Sequence, residues 1–367
     1  MITHESDCGI VDEGQSVKKY LDSFLDTAPG TAISKPDDSF FRRVVCCETS
    51  RSLYCQRCCR LLVPDHLVPA PISRRRRRGG NGECMESFES SGSERPLNLP
   101  FNLHVILDDR RGSATGLHAV VLMNGTGEIL GRNRICIDGR TEDCAGARSS
   151  IDSFELGSVK LVDLATDDIP KYRDCDDSTF LLFPSPGESI PLEIVASKVR
   201  TLVVLDCKWT QSKICRTDEN LSSLQKVHLT SPPEKSFFWR WHNAGPGMLS
   251  SIEAIYYAAI EVMRIKHKYS LDAGQTSQMD TLEDQNNLIH LLWLFGHQRA
   301  ATFKSAQNAG TPAPCTDEGK EMQRAMRKQK GTWRQLRHKE DERRLDERMK
   351  LKMRINHASC EDDRRIA

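Results

Sequence analysis

An unbroken apolar run, Leu202-Val203-Val204-Leu205, stops at Asp206, and Cys207, Lys208, Trp209, Thr210 and Gln211 follow it. A carboxylate placed where a buried strand ends can take up a proton or hold a donor group of a ligand. Ligands of open α/β sheets bind just beyond the carboxyl ends of strands, where such a residue would sit. The plainer alternative is that Asp206 caps the next turn. A second segment, Phe183-Pro184-Ser185-Pro186-Gly187-Glu188, again follows an apolar run. Alone it reads as an ordinary Pro/Gly turn. A third segment joins Phe238-Trp239-Arg240 to Gly245-Pro246-Gly247-Met248-Leu249-Ser250-Ser251-Ile252-Glu253. Glycine lets the backbone come close to a ligand, and the free N–H groups of a helix start receive carboxylate or phosphate. The competing reading is a well-capped helix.

Cysteines cluster at positions 46, 47, 55, 58 and 59. The two-residue gap between Cys55 and Cys58 suits a zinc knuckle, and zinc takes four thiolate or imidazole ligands in a tetrahedron. A zinc closed by four such ligands would be structural. The alternative is a set of free thiols in a small apolar knot. His118 and His242 stand alone and read as structural rather than catalytic.

These residues need elements to position them. Leu103–Leu107, His118–Met123, Thr179–Phe183 and Arg200–Leu205 read as short strands closed by turn residues, with Val227–Leu229 as one more. The Arg200–Leu205 run is apolar without alternation from Leu202 on, as in a strand buried on both faces of a parallel sheet. Ser250 and Glu253 have the spacing of a capping box, predicting a helix from about Ser250 to Tyr269. Ile252, Ile255, Tyr256 and Ala259 then give it an apolar stripe. A second helix is expected over about Leu282–Ala300, and a charged one over about Glu321–Ile355. Strands alternating with helices place the chain in the α/β class.

The organisation reads as follows: 1–40 disordered, with one weak amphipathic stretch at Val17–Leu25; 41–62 a cysteine-rich, zinc-ribbon-like segment; 63–98 an Arg/Gly/Ser-rich insert; 99–300 the main α/β domain, the candidate catalytic domain; 301–367 a linker and charged helical tail. The chain has 367 residues, 38% of them hydrophobic and 28% charged, with a net charge of +1. That near-neutral total hides separated patches. Arg74–Arg78 and the stretch from Lys320 to Arg354 are basic and suit a polyanion, and RNA phosphate is one candidate. Solvated charge is the alternative for both. The first residues show no secretory signal, and no apolar run nears the roughly 20 residues that span a bilayer. An intracellular protein is expected, in which the 14 cysteines meet a reducing compartment. No membrane and no obligate protein partner are expected. The arginine run favours the nucleus over the cytoplasm.

In order and spacing the three segments resemble the DTW-domain family. Asp206-x-x-Trp209 is similar to the Asp-x-Thr-Trp signature of that family. The Phe183-Pro184 turn before it and the Leu249-Ser250-Ser251-Ile252-Glu253-Ala254 helix start after it match too. Phe238-Trp239-Arg240 and Ile252–Tyr257 are closest to the eukaryotic type-one branch. The resemblance spans roughly Val44 to Gly296, with gaps at the arginine insert and around Leu130–Pro170. It implies a SPOUT-like, knotted α/β fold and S-adenosylmethionine as donor substrate. It also implies transfer of the 3-amino-3-carboxypropyl group to N3 of a D-loop uridine of tRNA, at a position-20 type site. Asp206 then becomes the catalytic carboxylate, within the motif Asp206, Cys207, Lys208 and Trp209. Phe183, Pro184, Leu205, Gln211, Leu249, Ser250 and Glu253 become the donor-binding set. By the family pattern the zinc ligands are Cys47, Cys55 and Cys58, with Cys46 standing in for the first. Lys208 departs from the Thr or Ser of the family. Two other outcomes stay open: a related SPOUT-like transferase acting on rRNA, and a catalytically inactive RNA-binding module.

Overall fold

The computed structural model describes residues 13–26, 53–57, 59–63, 67–73, 95–123, 157–172, 177–208, 213–239, 248–272, 278–313, 316–332, 335, 339 and 343. Two compact units divide the chain: 1–238 with 244–301, and 239–243 with 302–367.

In the first unit, six strands form one parallel sheet. They are β3 (Asn102–Leu107), β4 (Val159–Asp163), β5 (Thr179–Leu182), β6 (Ile190–Pro191), β7 (Thr201–Asp206) and β8 (Gln225–His228), in the order β4-β3-β7-β5-β8-β6. The expected α/β class with a parallel sheet is thus the observed one. In the interior strands Leu202, Val203, Leu103, Val105, Ile106 and Leu181 are all fully buried, as a sheet covered on both faces requires. On one face Ile106, Val162, Leu181 and Val203 pack with Cys215, Leu221 and Leu224. Cys215 and Leu221 lie on two short helices, α4 (Ile214–Thr217) and α5 (Glu219–Ser222), and Leu224 follows them. Against β7 lies α6 (Ser251–Asp272), which also packs on the short helix α3 (Leu192–Val195). Its stripe of Ile252, Ile255, Ala258, Ala259 and Val262 is fully buried.

The side chains of α6 fasten it to strand ends. Lys266 Nζ donates to the carbonyls of Pro100 and Val199, each at 2.8 Å. Glu261 accepts the N–H and the hydroxyl of Thr230, just past β8. A two-stranded antiparallel ribbon, β1 (Tyr54–Cys55) with β2 (Arg60–Leu61), carries the described part of the cysteine segment.

Several expectations are corrected. His118–Met123 is not a strand but the body of helix α2 (Leu117–Met123), every residue of which is buried. A short, wholly buried apolar run carries no periodicity to separate strand from helix. Within 1–40, Glu13–Asp26 forms helix α1. Its Val17 and Leu21 are fully buried, and Arg299 Nη1 donates to the Leu21 carbonyl at 3.1 Å. The helix expected over 282–300 is three pieces: α7 (Gln278–Leu288), a 3-10 turn (Ile289–Leu292) and α8 (Trp293–Asn308). The last runs into the expected linker. In the second unit, residues 317–332 are helical, and the remainder of the charged tail lies mostly outside the described residues. β4 and β6 had no counterpart in the sequence reading. The arginine run 74–78 also lies outside the described residues.

Candidate active site

The carboxyl ends of the parallel strands share one edge of the sheet, and three carboxylates gather there. Leu107 of β3 pairs with Asp206 of β7 in register, which puts the turn after β3 beside Asp206. Asp163, at the end of β4, takes both Nε (2.9 Å) and Nη2 (2.6 Å) of Arg111 on one oxygen. Asp109 faces the Lys208 ammonium at 3.6 Å. Asp206 differs, because its described donors are neutral. The Gly116 N–H donates to Oδ2 at 2.5 Å and the Ser251 hydroxyl to Oδ1 at 2.9 Å, and the Leu117 N–H also donates to it. Asp206 is only 5% exposed. Burial pushes its pKa up from 3.8 to about 6, nearby Asp109 adds to this, and the bonds from Ser251, Gly116 and Leu117 oppose it. Loss of solvation of the charged form outweighs hydrogen bonding here.

Asp206 therefore joins the starts of two helices. It caps α2 through Gly116 and Leu117, and it holds Ser251, the first residue of α6. A Cβ on Gly116 would lie 2.8 Å from Asp206 Oδ2 and 3.2 Å from Val105 Cγ1, so a side chain there would displace the carboxylate. The capping reading and the ligand reading of Asp206 are compatible, since one carboxylate has two oxygens.

Beside this corner lies an apolar cavity of about 200 Å³. Of the expected donor-binding residues, Phe183, Pro184, Leu205 and Leu249 line it, along with Cys207 of the motif. Ser250 and Glu253 do not. Instead Ser251 and Ala254, each one residue further on, face it. Ser250 and Glu253 are bonded to each other. The fully buried Glu253 accepts the N–H and hydroxyl of Ser250 at 2.9 and 2.6 Å, the Ser236 hydroxyl at 2.7 Å and the Phe237 N–H at 2.7 Å. Half of the expected capping box is present, because the Ser250 hydroxyl turns to Glu253 rather than to the helix backbone. Burial pushes the Cys207 thiol up to about 12, so it faces the cavity as a protonated thiol. Trp209, Gln211, Arg240 and the glycines at 245 and 247 lie outside the described residues.

The sequence reading missed His228, which ends β8 and lines the cavity. Its Nδ1 sits 3.0 Å from the Ser189 hydroxyl. That hydroxyl also lies 2.9 Å from the Ser185 carbonyl, which already accepts the Glu188 and Ser189 N–H groups. Ser251 was missed as well, although it stands next to a residue that the sequence singled out. His118 is fully buried, with neither ring nitrogen bonded among the described residues. Burial lowers its pKa to about 3, so it is a neutral core residue packed edge-on against Tyr54.

Of the expected zinc ligands only Cys55 is described, and it is buried on β1. Cys46, Cys47 and Cys58 lie outside the described residues. Among the described residues no group of three metal-binding side chains comes together. Arg111 fixes the ribbon to the sheet edge, since Nη1 donates to the Gln56 and Arg57 carbonyls at 3.0 and 2.9 Å. Among the described residues no helix is long and apolar enough to cross a membrane.

Fold and site together define an α/β domain with an apolar cavity at the carboxyl edge of a parallel sheet and a buried carboxylate behind its wall. Comparison with known proteins narrows this class. A Xenopus tropicalis protein named tRNA-uridine aminocarboxypropyltransferase 1 is 25% identical over 227 residues, covering 59% of this chain and 68% of its own length. A Rattus norvegicus protein of the same name is 35% identical over 72 residues, covering 19% of this chain and 23% of its own. No family model and no solved structure matches the chain. The chain is a distant relative of proteins bearing that name, in agreement with the relationship read from Asp206, Trp209 and the α6 start.

Proposed function

We propose that this protein transfers the 3-amino-3-carboxypropyl group of S-adenosylmethionine to N3 of a D-loop uridine in tRNA. One observation carries the reading: the buried, uncharged-partner carboxylate Asp206 lies behind the wall of an apolar cavity that Phe183, Pro184, Leu205 and Leu249 line. The names of the two relatives support the same chemistry.

The reaction is a displacement. N3 of uridine attacks the methylene carbon next to the sulfonium, and methylthioadenosine leaves as a neutral molecule. The leaving group needs little acid help, whereas N3 must lose a proton. Asp206 is the acceptor we assign to it. A pKa of about 6 leaves the carboxylate ionised at neutral pH while it remains a better base than an ordinary aspartate. The rest is positioning, because in-line attack requires both partners to be held close. The apolar wall suits the adenosyl and thioether parts. The turn 184–188 and the segment 245–250 are assigned to the aminocarboxypropyl arm. A SPOUT-like knotted threading, a structural zinc on Cys46, Cys47, Cys55 and Cys58, and entry to the nucleus through Arg74–Arg78 belong to the same reading.

Mixing the purified chain with S-adenosylmethionine and tRNA tests it. Methylthioadenosine and 3-(3-amino-3-carboxypropyl)uridine are the expected products, identified by nucleoside mass spectrometry. Product on rRNA instead would reassign the substrate, and binding without release of methylthioadenosine would make the chain an inactive RNA-binding module. Metal analysis of the same preparation checks the zinc.

A further inference from the structure

Asp206 is almost sealed from the cavity on whose chemistry it is proposed to act. It is 5% exposed, and the residues on either side of it, Leu205 and Cys207, line the cavity while its own side chain does not. Oδ2 is taken by the Gly116 N–H at 2.5 Å. Oδ1 receives the Ser251 hydroxyl at 2.9 Å. Among the described residues Ser251 is the side chain that both faces the cavity and is bonded to this carboxylate.

We propose that Ser251 carries the proton from the acceptor uridine to Asp206, so that the carboxylate acts on the cavity through this hydroxyl. The inference rests on the function proposed above and deepens it. A hydroxyl can accept one hydrogen bond while donating another, which is what a relay needs. The uridine N3–H bond breaks and its proton passes to Ser251 Oγ. The Ser251 hydroxyl proton passes to Asp206 Oδ1. The nitrogen pair forms the bond to the methylene carbon, and the carbon–sulfur bond breaks with its electrons going to sulfur. The positive sulfonium and the negative carboxylate are replaced by neutral methylthioadenosine and neutral Asp206, which then returns its proton to solvent. Ser251 is the first residue of the 22-residue helix α6, and the positive end of that helix stabilises negative charge developing on Oγ.

The groups that face Asp206 set its titration. They are the Gly116 and Leu117 N–H groups at the start of α2, Asp109 beyond β3, and Ser251 on α6, with Lys208 paired to Asp109. Full-length wild type, Ser251→Ala, Ser251→Thr and Asp206→Asn are compared in single turnover with tRNA, reading methylthioadenosine release against pH. Calorimetry of S-adenosylmethionine binding and thermal melting serve as controls. Ser251→Ala is expected to lose about 10²–10⁴-fold in rate, the range of a lost acid–base group. Its donor affinity should stay near wild type, and its melting temperature should fall only by the few degrees of one lost hydrogen bond. Ser251→Thr, which keeps the hydroxyl, should remain within about tenfold of wild type. Wild type should show an inflection near the Asp206 pKa of about 6, which Ser251→Ala loses. A Ser251→Ala enzyme with wild-type rate and inflection beside an inactive Asp206→Asn would overturn the relay and leave the function standing. So would a Ser251→Thr variant as slow as Ser251→Ala. Absence of methylthioadenosine from wild type would instead remove the function and the relay together.

Discussion

Asp206 and Glu253 are two buried carboxylates at the start of the same helix, and their surroundings assign them different work. Glu253 is fully buried and its four donors come from Ser236, Phe237 and Ser250. All four hold backbone segments in place, and none of these residues faces the cavity. Asp206 has fewer donors, a pKa raised to about 6, and one donor, Ser251, that stands on the cavity wall. A carboxylate surrounded by donors from structural loops acts as a clamp. One left short of donors beside a cavity keeps basicity that chemistry can use.

The sharpest way to break this contrast is Asp206→Asn. Turnover should fall by about 10²–10⁴-fold, while the protein becomes more stable. The carboxylate binds its proton more tightly folded than unfolded, so ionising it opposes folding. This opposition is absent below the unfolded value of 3.8, grows as pH rises through the window to about 6, and is constant above it. The difference between 3.8 and about 6 corresponds to roughly 3 kcal/mol at neutral pH. Asparagine keeps an acceptor for the Gly116 N–H without a charge, so thermal melting at pH 7 should rise and the wild-type advantage of acidic pH should vanish. A fall in melting temperature would make Asp206 a clamp like Glu253.

Glu253→Ala should do the opposite. Buried donors left unsatisfied cost about 1–3 kcal/mol each, so a total on the order of 4 kcal/mol is expected after water enters. The denaturant midpoint measures it. Activity should return toward wild type at low temperature, where the remaining stability suffices.

His228→Ala extends the comparison to another residue that lines the cavity. Losing the imidazole should raise the KM for S-adenosylmethionine about tenfold, or 1.4 kcal/mol, with melting unchanged. The smallest effect belongs to Lys208→Thr, which brings in the Thr of the Asp-x-Thr-Trp signature that this segment resembles. The Lys208 side chain is 59% exposed beside Asp109, and exposed ion pairs contribute about 0–1 kcal/mol. Stability should barely move, and the turnover ratio shows directly whether the departure from that signature matters.

Much of this corner was legible because it depends on short-range pattern. The unbroken run into Asp206, the turn at Phe183-Pro184 and the Ser250–Glu253 spacing are local, and the structure places all three near one cavity. What escaped was long-range. α2 resembles a strand in sequence because its cap is supplied from β7, far away along the chain. β4 follows a stretch outside both the resemblance and the described residues. α1 is weakly amphipathic, and the burial of Val17 and Leu21 depends on packing with later helices. Ser251 was passed over because a capping motif identifies Ser250 and Glu253 but does not say which neighbour faces a cavity. His228 had no sequence signal, since a lone histidine after a short strand resembles any other.

The cap on α2 also bears on the order in which the chain folds. Gly116 and Asp206 are 90 residues apart, and the seven residues of α2 are too few to hold a helix in water without outside help. The first turn of α2 must wait until β3 and β7 have docked in register. Folding of this unit is therefore expected to be slow, as for other parallel sheets built on distant pairings. Amide protons of Gly116 and Leu117 should gain protection together with those of the central strands and not before them, in pulse-labelled hydrogen exchange during refolding.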